Sequence, residues 1–270
     1  MTAAVMEGDT AAPGGDDVET TPVLPESLQP WHDPNPLVGW AITGIITVFA
    51  ALTRFWAVGF PQGKNFDEVY YATEAQEMLR WGYEDNRGYM FIVHPPLGKW
   101  LIAITSDIWT GANNTLGWRI APAVAGTVAV IIMTRLARRM FRSNLYGGIA
   151  GMLLAMDGLT LVLSRTAILD IFLELFVLAG FAALVVDRDW MRARLARMVT
   201  AGVDLGAGVP SLGPRPWRIV AGIMFGFALA VKWSALSFWI AFAILSLIWD
   251  RSALRAAGAE IGRASCRERV

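Results

Sequence analysis

Cysteine is nearly absent: the chain of 270 residues has one, Cys266. That excludes a disulfide framework and a thiolate metal site. Histidine is almost as scarce, with two, and no H-E-x-x-H run occurs, so the residues offer no zinc centre. Charge is thin as well: 17% of residues are charged and the formal net charge is zero. A nucleic-acid partner would need a basic footprint, which is missing. A soluble domain of this length would need more charge to cover its surface. Internal repeats are not evident. What is abundant is apolar: 55% of residues are hydrophobic, with 12 Trp and 13 Phe. Disorder is thereby excluded for most of the chain. An all-α, polytopic integral membrane protein remains.

The apolar runs give the organisation. Residues 1–36 carry seven acidic residues and no Lys or Arg, a composition that predicts a disordered acidic tail. They lack the basic start of a signal peptide. A membrane helix needs about 20 largely apolar residues. Stretches 37–58, 119–140, 145–163 and 166–186 meet that pattern, and 217–248 is long enough for two short helices if it breaks at Lys232-Trp233-Ser234. Six spans result. Arg135, Arg138, Arg139 and Arg142, the arginines between 188 and 218, and Arg251 and Arg255 all fall on one side, which should be cytoplasmic together with the N-terminal tail. The segment 94–110 is short and carries Ser106 and Asp107, so it reads as an interfacial or re-entrant helix in a large external loop, 59–118. The run 261–270, IGRASCRERV, matches the translation of a common sequencing-library adapter. Read-through past Glu260 is therefore expected, with Cys266 an artefact; an ordinary basic tail is the alternative.

With this topology Asp67, Glu68, His94, Lys99, Arg119, Arg165, Asp170 and Lys232 gather at the external membrane boundary. Ionisable groups at membrane depth are costly and commonly functional. Charges of both signs on one face suit an anionic lipid head group beside an acid/base carboxylate. Each residue also has a plainer reading. Asn65 and Glu68 have capping-box spacing, with Asp67 suited to the helix dipole. In His94-Pro95-Pro96-Leu97-Gly98-Lys99 the prolines suit a turn into a helix, with Lys99 snorkelling. Arg165 and Asp170 are spaced to pair across a turn, and Asp157 is placed to join them. Lys232 interrupts an apolar run with no acidic neighbour in sequence, which suits either a phosphate or a snorkelling role.

Together these motifs resemble the protein O-mannosyltransferases across residues 37–250. The matching runs are Asp67-Glu68, HPPLGK (94–99), GWRIAPAVAGT around Arg119, DGLTLVLSRTAILD (157–170) and GFALAVKWSAL around Lys232. HPPLGK with SRTAILD is the specific part. The resemblance implies a membrane-embedded GT-C glycosyltransferase fold, a polyprenyl-phosphate mannose donor, and inverting transfer of mannose to Ser or Thr hydroxyls of translocated proteins outside the plasma membrane. No metal or separate cofactor is implied, and the secretion translocon is a candidate partner. Asp67 would be the base, with Glu68 second. His94, Lys99, Arg119, Arg165, Asp170 and Lys232 would hold the donor's phosphate or frame its site. The family's enzymes have about twice as many spans, so the likeness covers an N-terminal half, expected to be inactive alone. The bias of 20 Arg to 3 Lys fits a GC-rich, actinobacterial source. A lipid- or glycan-directed glycosyltransferase of the same fold is the alternative enzyme. A transporter would instead expect a polar site at the midplane, and a catalytically silent membrane partner is a further alternative.

Overall fold

The computed structural model describes residues 24–30, 32–33, 35–85, 93–109, 114–205 and 210–259. The expectations for most of the acidic tail and for 261–270, Cys266 included, lie outside these. Among the described residues, all regular structure is helical, with nine α-helices. Their order is α1 Pro36–Phe55, α2 Glu68–Trp81, α3 Leu97–Trp109, α4 Thr115–Phe141, α5 Asn144–Met156, α6 Gly158–Leu163, α7 Asp170–Thr200, α8 Pro216–Val231 and α9 Ala235–Ala256.

Local chemistry sets the boundaries. Asn35 caps α1 by accepting from the Val38 amide at 3.1 Å, and Pro36 occupies the first turn, where its missing N–H costs nothing. Asn114 and Ser143 cap α4 and α5 in the same way. The expected span over 145–163 is interrupted. Asp157 accepts from the Thr160 amide at 2.7 Å and starts α6 afresh, so it serves as a cap. The apolar stretch 217–248 breaks at Lys232, whose extended backbone ends α8. α1, α4 and α9 are long and apolar enough to cross a membrane, while α5 and α8 are apolar but shorter. α7 has 31 residues, about 46 Å at 1.5 Å each. It therefore outruns a hydrocarbon core of about 30 Å and continues well past residue 186. α3, with 13 residues, is too short to span alone.

Side-chain pairs show which helix ends share a face. On one face Arg139 meets Asp189 at 2.6 Å, Arg138 meets Asp33, and Arg215 joins Asp187 on α7 to Asp250 on α9. This arginine-rich face carries the start of α1 and α8 and the ends of α4, α7 and α9. The opposite face carries the exit of α1, α2, α3, the start of α4, the α6–α7 link and the α8–α9 break.

Two packed regions follow. Beneath the second face, Tyr71, Ala72 and Ala75 of α2 meet Ile102 and Ala103 of α3, Trp118 and Ala121 of α4, Leu169 and Phe172 at the start of α7, and Val231 of α8. At the arginine-rich face, Met191 and Leu195 from the overhanging end of α7 pack with Leu28, Leu205 and Leu254. Small residues bring the helices close, as membrane packing favours. At Gly126 on α4 an added Cβ would lie 2.0 Å from the Ser164 Oγ, so only glycine fits there.

Candidate active site

The Asp67-Glu68 pair divides on folding. Glu68 opens α2 and is fully buried, while Arg119, one turn into α4, is 1% exposed. They form a bidentate pair, Arg119 Nε to Glu68 Oε1 and Nη2 to Oε2, both at 2.7 Å. Arg119 also donates to the carbonyls of Val58, Pro61 and Gly63. All five guanidinium donors are thus taken by protein. Glu68 further accepts from the Asn65 and Ala167 amides at 2.8 and 2.9 Å. Two expectations are corrected here. Arg119 is not available to a phosphate, because its donors are occupied and it is buried. Glu68 is not available as a base, because both oxygens are engaged out of reach of substrate. Only half of the capping box forms: Glu68 accepts from Asn65, and the helix starts with no side-chain cap.

HPPLGK is a packing device. Pro96 precedes α3 and its carbonyl accepts from the Trp100 amide at 2.9 Å. A Cβ on Gly98 would lie 2.7 Å from the Leu169 Cδ2, so α3 approaches the start of α7 there. Lys99 is fully buried between Glu74 at 3.1 Å and Glu84 at 2.9 Å. Snorkelling and phosphate binding are both corrected: Lys99 staples α3 to α2 and to the chain beyond it. Burial pushes the Glu74 carboxyl up, against the pull of Lys99.

SRTAILD supplies the link between α6 and α7. Arg165 donates to the carbonyls of Thr53 at 2.7 Å and Arg54 at 3.3 Å, closing the end of α1. The expected Arg165–Asp170 pair is therefore replaced. Asp170 pairs instead with Lys232, 62 residues away, at 2.7 Å. Lys232 is not unpaired, as its sequence neighbours suggested, but one acceptor leaves it two further donors. The Asp170 side chain is 40% exposed.

Asp67 stands apart from these locks. It is half-buried, and no hydrogen-bond or ion-pair partner meets its carboxylate among the described residues. It shares an electrostatic neighbourhood with Tyr71, His94, Asp170 and Lys232. Burial, with Asp67 and then Asp170 adding to it, pushes the Tyr71 phenol up to about 12. His94 lies 6.2 Å from Tyr71 between ring centroids. Burial and then Lys232 hold His94 below its ordinary value, and its buried Nδ1 has no partner.

Two openings flank this cluster. An apolar groove of about 300 Å³ runs from Asp170 along Leu173, Val177 and Phe181 of α7 and Phe238 and Phe242 of α9. On the other side a wide cavity of about 610 Å³ is lined by His94, Pro95, Trp100, Tyr83 and Trp233.

Three residues escaped the sequence reading. Tyr71 follows Asp67 by one helical turn. Glu174 sits in an apolar run and lines the groove one turn beyond Asp170. Arg54 is fully buried at the end of α1, reaching the Ser164 Oγ at 3.2 Å and the Ala155 carbonyl at 3.4 Å. A lone charge inside an apolar run was the available signal for Glu174 and Arg54.

Helices of membrane-crossing length, with a polar cluster at one end opening onto an apolar groove, define a polytopic membrane protein with a site open to the surface that lipid would cover. The comparisons with known proteins agree. A model of the dolichyl-phosphate-mannose-protein mannosyltransferase family matches residues 44–257, and the chain belongs to that family. It is 44% identical over 258 residues to a polyprenol-phosphate-mannose–protein mannosyltransferase of Mycolicibacterium smegmatis (strain MKD8), covering 93% of this chain and 49% of that protein. Identity to the protein of the same name from Mycobacterium tuberculosis (strain CDC 1551 / Oshkosh) is 42% over 264 residues, 94% of this chain and 50% of the relative. A more distant relative, at 29% over 188 residues, is an undecaprenyl phosphate-alpha-4-amino-4-deoxy-L-arabinose arabinosyl transferase of Pseudomonas aeruginosa (strain UCBPP-PA14), covering 67% of this chain and 34% of that protein. The chain spans about half the length of the curated mycobacterial relatives it matches.

Proposed function

We propose that this chain forms the Asp67-bearing part of an enzyme that transfers mannose from a polyprenyl-phosphate donor to Ser or Thr hydroxyls of proteins. The observation that carries the reading is the division of labour between neighbours. Glu68 is locked to Arg119, while Asp67 keeps a carboxylate without a partner among the described residues, beside the Asp170–Lys232 pair. The family and the names of the mycobacterial relatives support the donor and the acceptor class.

In this reading the isoprenoid chain follows the groove along α7 and α9. The donor phosphate meets Lys232, the sugar faces Asp67, and the acceptor approaches through the cavity lined by His94 and Trp233. The acceptor oxygen attacks the anomeric carbon, the bond from that carbon to the phosphate oxygen breaks, and configuration inverts. Asp67 takes the hydroxyl proton as the new bond forms, because a neutral alcohol is a poor nucleophile until it loses that proton. Polyprenyl phosphate leaves with added negative charge, which Lys232 stabilises. The arginine-rich face is cytoplasmic by the positive-inside rule. The site then lies on the outer side of the plasma membrane, where translocated proteins emerge.

Asp67→Asn in the complete polypeptide tests the assignment. Mannosyl transfer from polyprenyl-phosphate mannose to a Thr-rich peptide should fall by roughly 10²–10⁴-fold in kcat. Donor affinity should stay near normal. Near-wild-type turnover would move the base elsewhere.

A further inference from the structure

We propose that the groove between α4 and α7 at the arginine-rich face binds an anionic phospholipid of the adjoining leaflet, its phosphate meeting Arg135 and an acyl chain lying along Ile131, Ile132, Ala182 and Val186. This groove encloses about 260 Å³ and lies at the opposite end of the molecule from the Asp67 cluster.

Charge and satisfaction point to the occupant. Arg139 belongs both to the groove and to a polar recess formed with Arg142, Arg188, Asp189 and Arg192. Arg138 also borders the groove but has its own carboxylate in Asp33. Among the described residues that line the groove and the recess, Arg135, Arg139, Arg142, Arg188 and Arg192 then share one carboxylate, Asp189, which pairs with Arg139 and Arg188. The Arg135 Nη1 and the Arg192 Nε are buried with no hydrogen-bond partner. Arginines placed only to orient the chain need water and nothing else. Burying their donors unpaired is costly unless an acceptor arrives.

Depth agrees. The Arg135 guanidinium stacks on Trp40 at 4.0 Å, and an exposed aromatic pair, Phe141 and Tyr146 with centroids 5.6 Å apart, lies just beyond. Trp and Tyr favour the head-group layer, where a lipid phosphate sits. Below Arg135 the groove wall turns wholly aliphatic, as an acyl chain requires. A basic pocket between membrane helices, continued by an apolar groove, is the chemistry that selects an anionic phospholipid. A lipid without phosphate would leave the Arg135 donor unanswered, and a zwitterionic one would bring a choline cation beside Arg139, Arg142, Arg188 and Arg192. A free phosphate would leave the groove unfilled.

The test uses the complete polypeptide in neutral detergent, with phosphatidylglycerol, phosphatidylcholine of the same acyl chains, and inorganic phosphate as probes. Native mass spectrometry and the thermal midpoint are read for each. Phosphatidylglycerol should be retained at least about tenfold more tightly than phosphatidylcholine, because the choline cation is repelled by the surrounding arginines while the phosphate contact is common to both, and should raise the midpoint. Arg135→Gln should abolish the preference, and Arg192→Gln should reduce it. Arg251→Gln removes a charge on the same face outside both linings and should leave the preference intact. Equal retention of the two lipids overturns the proposal, as does an equal loss with Arg251→Gln. So does a midpoint shift reproduced by inorganic phosphate alone, or a dimer that lipid displaces, which would make a second copy the occupant. If Arg135→Gln fails to fold, the comparison of the two lipids on the unaltered protein still decides.

Discussion

Glu68→Gln should be a folding lesion rather than a catalytic one. The substitution keeps size but leaves one acceptor oxygen, whereas the Asn65 and Ala167 amides bond different oxygens of the native carboxylate, at 2.8 and 2.9 Å. It removes the negative charge facing Arg119, which is 1% exposed and makes two 2.7 Å bonds to Glu68. The amide nitrogen of the substituted side chain would also point a donor at a donor. Breaking a buried ion pair by removing one partner costs about 3–5 kcal/mol. The carbonyls of Val58, Pro61 and Gly63 still hold Arg119, which places the expected loss near the lower end, about 3 kcal/mol. Unfolding of the purified protein by a denaturing detergent, followed by Trp fluorescence, measures it. Asp67→Asn in the same assay should shift stability by less than about 0.5 kcal/mol, as expected away from specific contacts. Replacing Glu68 and Arg119 together with Met should cost less than the sum of the single changes by about 2 kcal/mol, since neither charge is left alone. A Glu68→Gln protein as stable as wild type but dead in transfer would refute the structural role and return Glu68 to the chemistry.

Other outcomes follow from the same geometry. Lys232→Gln should raise the KM for the polyprenyl-phosphate donor by about tenfold or more, the loss of one charge-assisted contact to phosphate; an unchanged KM would place the phosphate elsewhere. Gly126→Ala should destabilise by about 1–3 kcal/mol despite better helix propensity, because its Cβ would fall 2.0 Å from the Ser164 Oγ; thermal midpoints of the two proteins show whether it does. In the complete polypeptide freed of other cysteines, Tyr83→Cys should react with an impermeant reagent on intact cells and Ala201→Cys should not; the reverse pattern would invert the orientation.

Helices were easier to read than partners. Runs of apolar residues announce α1, α4 and the α8–α9 pair directly, because a bilayer sets their length. Lys232 marks the α8–α9 break since a charge cannot sit cheaply in such a run. Asp157 was harder: a carboxylate within an apolar run looks like a partner for the Arg165–Asp170 pair until the Thr160 amide three residues on is seen to need a cap. The overhang of α7 was missed because its Arg- and Asp-rich end loses the membrane signal while staying helical. Partner choice was least legible. Glu68 and Arg119 are 51 residues apart, and Asp170 and Lys232 are 62 apart. Sequence could gather all four on one face, yet nothing local told a buried strut from an open ligand. Asp67 could be named for its place beside α2, but its lack of a partner is visible only once Glu68 has found one.

The small core at the end of α7 has a consequence for how the molecule comes apart. Leu28, Met191, Leu195, Leu205 and Leu254 cluster beyond the stretch of α7 that a bilayer would cover, so water is the solvent that drives them together. Inside the membrane lipid tails are as apolar as leucine, and close packing and polar pairs hold the helices instead. The two halves of one continuous helix therefore answer to different solvents. Urea, which weakens burial from water, should loosen the arginine-rich end first and leave the Asp67 face assembled. A harsh detergent should act in the opposite order.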